Sequence, residues 1–156
     1  MSTTELSRIA QLLRHAYDGS PWYGTALRKL LTGVSAETAS AKPIVGAHTI
    51  QQEVLHVIAW RKFATRLLSG ESVTGLSDDE NWPNPAECDA ASWQQTLEEL
   101  AQTQNALEAA IAGLIDDRLS EKAPGQKFSL YVLLHGVIQH DAYHAGQIAL
   151  IRNAAS

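Results

Sequence analysis

The spacing of apolar residues restricts what this chain can fold into, because it is helical almost from end to end. From residue 4 to about 17, Leu6, Ile9, Leu12, Leu13 and Ala16 recur at steps of one to four residues and fall on one stripe of a helix. Residues 23–31 bring Leu27, Leu30 and Leu31 together ahead of Gly33, and Ser35-Ala36-Glu37-Thr38 can open a single turn before Pro43. A longer helix is predicted over residues 48–69, carrying Ile50, Val54, Val57, Ile58, Phe63, Leu67 and Leu68, with Gly70 placed as its C-terminal cap. Residues 91–119 hold a third long pattern built on Trp93, Leu97, Leu100, Leu107, Ile111, Leu114 and Ile115. Residues 129–153 hold a fourth, with Leu130, Leu133, Leu134, Val137, Ile138, Ile148 and Ile151. No period-two run of β-branched residues bounded by turns occurs, so no strand is expected.

Asp18-Gly19-Ser20-Pro21 and Pro124-Gly125 break the helical pattern with turn chemistry. Residues 70–90 shift to Gly, Ser, Asp, Asn and Pro. That connection, about 20 residues, is longer than helix–helix loops usually are, a length associated with function or with local structure of its own. Trp82 and Trp93 suggest that it packs down. Four long amphipathic helices without a sheet bury their stripes most economically as a bundle. The expectation is an all-α chain, a four-helix bundle forming one domain over residues 1–156, with short extra helices in the connections.

The chain has 156 residues, of which 45% are hydrophobic and 19% charged, enough to bury a core without an external staple. Twelve Lys and Arg stand against 17 Asp and Glu, for a formal charge of −5, and the basic residues form no stripe. Nucleic-acid binding draws its affinity from such stripes, so no nucleic-acid partner is expected. The lone cysteine, Cys88, excludes an intrachain disulfide and a thiolate metal cluster. It lies between Glu87 and Asp89, with no cation to favour its thiolate, and is not proposed as a nucleophile. The first eight residues lack a charged start followed by an apolar run. No stretch approaches the ~20 apolar residues needed to span a bilayer. The expected location is cytoplasmic, with no membrane partner.

Histidine placement is the informative departure from the apolar pattern. His140 and His144 are four apart and share one helix face. They interrupt the stripe of Leu133, Val137, Ile148 and Ile151, while His56 lies on a comparable row with Glu53, Trp60, Phe63 and Leu67. Three inward imidazoles without partners would cost roughly 1–3 kcal/mol each. A divalent metal is one resolution, since histidines at i and i+4 are a standard ligand pair and a third from another helix would leave coordination positions open. Hydrogen bonding among the rings or to carboxylates is the other.

The stretch His135-Gly-Val-Ile-Gln-His140-Asp-Ala-Tyr-His144-Ala-Gly-Gln147 resembles the signature of the DinB superfamily, H-x-x-x-H-x-G-Q in the last helix. Ile50-Gln-Gln-Glu-Val-Leu-His56-Val-Ile-Ala-Trp60 is similar to that family's first ligand segment, an apolar run with His followed four residues later by Trp. The resemblance implies an up-down-down-up four-helix bundle, usually homodimeric. It also implies a divalent ion held by three histidines, which map onto His56, His140 and His144. Family members include transferases acting on low-molecular-weight thiols and metal-dependent hydrolases, so a small-molecule substrate, such as a thiol, is implied. One common form of the signature has a basic residue after the last ligand; this chain has Ala145 there, and no anion contact is carried over.

Glu53, one turn before His56, and Asp141, beside His140, are the candidates to orient an imidazole or move a proton. Gln147 could bond a neighbouring helix, with Gly146 allowing close approach. His135, about 500° around the axis from His140, should miss the site. His48 is expected at a helix start, and His15 at most at the pocket border. Trp22, Trp60, Trp82 and Trp93 are expected to fill core or dimer interface. Three readings follow: a metalloenzyme of thiol-transferase or hydrolase type, a non-catalytic metal-binding stress-response protein, and a metal-free module whose histidines satisfy one another. Zinc, nickel and iron suit three imidazoles alike.

Overall fold

Each long helix starts where the sequence supplies a polar side chain to cap it. In the computed structural model, which describes residues 4–156, the elements are α1 (Glu5–Asp18), α2 (Leu27–Leu31), α3 (Ala36–Ser40), α4 (Ile50–Leu68), α5 (Asp78–Asn81), α6 (Ala90–Ala112), a 3₁₀ turn (Asp116–Ser120) and α7 (Leu130–Ala154). Residues 1–3, part of the N-terminal stretch expected to hold no export signal, lie outside those described. The Thr49 hydroxyl accepts from Gln52 N–H while the Gln52 side chain accepts from Thr49 N–H, a reciprocal box that opens α4. Asp89 and Ser92 do the same for α6, and Ser129 caps α7. At the other end of α4, Gly70 has φ +92°, and its N–H and that of Glu71 return to Leu67 and Arg66 carbonyls. An L side chain is strained at that angle, which is why glycine ends the helix here.

Among the described residues the chain is all-helical, with an isolated bridge between Lys122 and Ser129 and no strand. No described helix is long and apolar enough to cross a membrane. Both α1 and α4 pack against α6 and α7, so the four long helices close into a circuit of neighbours. Two apolar clusters fill it. One joins Ile9 and Leu13 to Phe63, Leu67, Leu107 and Leu134; the other joins Ile50, Val54 and Val57 to Trp93, Leu100, Ile148 and Leu27 of α2. Both α4 and α7 run through both clusters. Where they pass from one to the other, they carry buried polar residues instead: Glu53, His56 and Arg61 on α4, Asp141 and His144 on α7.

Several sequence expectations shift. The third long helix ends at Ala112 rather than near residue 119. Asp116 is drawn away to cap α1, accepting from Glu5 N–H at 2.7 Å and Leu6 N–H at 3.1 Å, and the chain turns at Gly113 to let it reach. Ile115 is consequently exposed. Leu12, about 100° around the helix from Leu13, faces solvent rather than the core. The second run is helical only from Leu27. Trp22 is fully exposed in the chain, and Gly146 lies at an open surface with nothing within 4 Å of where a Cβ would stand, so it mediates no close helix approach.

Candidate metal centre

One ring nitrogen from each of His56, His140 and His144 lies within 4.8 Å of the other two, so α4 and α7 bring the three histidines together. His56 and His144 are buried and His140 is half-buried. Hydrogen bonds to acceptors fix the proton on two of the rings. His56 Nδ1 donates to the Asn81 carbonyl at 2.6 Å, and His144 Nδ1 donates to Glu53 Oε2 at 2.5 Å. A neutral imidazole with its proton on Nδ1 keeps its Nε2 lone pair free. His56 Nε2 stands 3.0 Å from His140 Nε2. Two nitrogens bound at ~2.0–2.1 Å to one tetrahedral zinc-type ion lie ~3.3–3.4 Å apart, a few tenths of an ångström beyond this separation. The donor set therefore fits a divalent cation, with Glu53 and Asn81 behind the ligands in the role that carboxylates and carbonyls take around metal-bound histidines.

Burial holds His140 down to about 3, helped by repulsion from His144, His56 and Arg61. His56 is also lowered, chiefly by burial, with the Asn81 carbonyl opposing. At neutral pH both rings are uncharged, the form that ligates a metal.

Asp141 departs from its expected place. It projects about 100° around α7 from His140, and its carboxylate meets Arg61 at 2.7 Å with both side chains fully buried. It bonds that guanidinium and no imidazole. Arg61 also lies 5.1 Å from the centre of the Tyr17 ring. His135 packs on Tyr131, away from the three histidines. The His15 Nδ1 accepts from Ser20 N–H and does not line the cavity beside the site. Ala145, where a basic residue stands in other forms of the signature, is buried among apolar neighbours.

The long connection packs down on the site, as its length and its tryptophan suggest, but the residues it contributes are not evident from the sequence. The Trp82 ring lies between two imidazoles, 3.7 Å from His48 and 3.9 Å from His56 in nearly parallel stacks. The Asn81 side chain is held by Trp60 Nε1–H at 2.8 Å, which steadies the carbonyl that receives His56. Short α5 presents both residues, and its signal was legible: Ser77 and Glu80 have the spacing of a capping box and form one. Trp82 thus lines the site instead of filling core.

The three histidines open onto a cavity of about 540 Å³ whose other walls include Trp60, Phe63, Phe128, Leu133 and Val137. No Lys, Arg, Asp or Glu lines it. Its size is ordinary for a small-molecule site. A family model described as the DinB superfamily matches residues 24–148, a span that holds all three histidines, Glu53 and the connection. Neither the curated proteins nor the solved structures contain a match to this chain.

Proposed function

The chain belongs to the DinB superfamily, and from that premise we propose that it is a divalent-metal-dependent enzyme of thiol S-transferase or hydrolase type, acting on a small molecule in the cavity beside His56, His140 and His144. The observation that carries this reading is the direction of the ring protons. Nδ1 of His56 and of His144 are each engaged by an acceptor, Asn81 and Glu53, which leaves Nε2 as the electron-pair donor of both rings, and His56 Nε2 stands 3.0 Å from His140 Nε2. His56, His140 and His144 would hold the ion. When bound, it supplies Lewis acidity, which polarises a substrate oxygen or favours the thiolate of a substrate thiol. Glu53 fixes the tautomer of His144 and keeps its carboxylate within reach of that proton. Asp141 is spent on Arg61, so Glu53 is the stronger candidate for a proton-handling role.

The same reading includes the up-down-down-up bundle, together with a homodimer and a cytoplasmic location. Elemental analysis of protein purified without a histidine tag tests the site: about one divalent ion per chain is expected, lost in His144→Ala. A panel of thiol and ester substrates then separates enzyme from non-catalytic metal binder. The 3.0 Å approach of His56 Nε2 and His140 Nε2 also has the length of a direct hydrogen bond. Trace metal alone in tag-free protein would favour that metal-free pairing.

A further inference from the structure

Gly136 stands in the interior of α7 and lines the cavity. Glycine is the least favourable residue for a helix interior after proline, so its presence asks for a reason. Backbone conformation is not one, since Gly136 is absent from the glycines with positive φ. Close packing is not one either, because a Cβ built there meets nothing within 4 Å. What the missing side chain does leave is room in the cavity. Around that room stand Phe63, Phe128, Leu133 and Val137, with Trp60 towards the histidines. Apart from the imidazoles, Asn81, the Tyr143 hydroxyl and the indole N–H groups of Trp60 and Trp82, the walls offer no hydrogen-bonding side chain, and no charged group lines them. A charged or heavily hydroxylated body would lose its hydration on entry and gain few partners.

We propose that the substrate's body is a compact, uncharged, apolar group, aromatic or branched alkyl, and that Gly136 keeps open the space it fills. The substrate's other end, an electron-pair donor turned to the three histidines, rests on the metal reading given above. The proposal separates this chain's site from one built for peptide-like or sugar-like thiols, which need polar contacts along their length.

The test titrates four probes into the zinc-supplemented full chain, following binding by calorimetry: benzyl mercaptan, toluene, cysteamine and glutathione. Benzyl mercaptan is expected to bind at least ~tenfold more tightly than cysteamine or glutathione, from burial of the ring. Gly136→Leu, which projects into the cavity, is expected to weaken benzyl mercaptan at least ~tenfold while leaving zinc content unchanged. Gly136→Ala should fold at least as well and give a smaller loss. Cysteamine or glutathione binding as tightly as benzyl mercaptan would overturn the proposal, as would an unaltered affinity in Gly136→Leu. If zinc is not retained, and toluene and benzyl mercaptan bind alike with the same sensitivity to Gly136→Leu, the apolar cavity stands and the metal reading falls. If zinc is retained and thiols bind regardless of their bodies, the reverse holds.

Discussion

At the scale of single residues, the site depends on where protons sit on imidazole rings, and the neighbours of each ring decide that. Glu53 is the most consequential of them. Glu53→Gln keeps the shape and an acceptor oxygen for His144 Nδ1–H but removes the negative charge behind the ligand. Zinc affinity, measured by competition with a chelating dye, should fall about 10–100-fold. The Arg61–Asp141 pair poses a different problem. Both side chains are fully buried, and Arg61 Nε and Nη1 and Asp141 Oδ1 have no partner. Removing one member strands the other charge, so Arg61→Ala should cost about 3–5 kcal/mol in urea unfolding. Arg61→Met combined with Asp141→Leu should cost far less, because no charge is then left buried. The sequence pattern was enough to single out Glu53 and the three histidines, since each breaks an apolar row. It could not separate Asp141 from them, because that separation depends on Arg61, a residue 80 positions away whose partner is chosen by packing.

At the scale of elements, α4 and α7 were legible because each has a long apolar row, a polar cap at its start and, for α4, a glycine at its end. The end of α6 was not. Apolar periodicity continues past Gly113, yet the helix caps there and Asp116 serves as an acceptor for the first N–H groups of α1. Two glycine substitutions express this contrast. Gly70→Ala places a Cβ at φ +92° and should destabilise the protein by about 1–2 kcal/mol. Gly113→Ala meets only ordinary contacts at 3.6 and 3.9 Å, at a helical φ of −81°. It should stabilise by about 0.4–1 kcal/mol, and chemical denaturation distinguishes the two by sign. The connection between α4 and α6 was the largest gap. Its capping-box spacing could be read, yet the stacking of Trp82 between His48 and His56 follows from how the loop folds back, which local pattern does not encode.

At the scale of the whole molecule, two apolar clusters meet at a polar belt, and stability and function share that belt. Protons report on it. The unfolded chain's histidines titrate near their ordinary value of ~6.5, whereas His140 is held to about 3 and His56 is also lowered, in both cases chiefly by burial. Between those values the unfolded state binds more protons, so stability rises with pH and falls as the solution is acidified. Metal-free protein should therefore lose denaturation midpoint from pH 7 to pH 5 and lose less in His140→Leu. An acid response identical in the two proteins would contradict this. The claim beneath every other one is that α4 and α7 deliver three ring nitrogens to one cation. Diffraction from crystals of the zinc-supplemented chain, collected on both sides of the zinc absorption edge, measures that directly. One anomalous peak is expected ~2.0–2.2 Å from a nitrogen of each of His56, His140 and His144. No peak there, or an ion held by other residues, would contradict it.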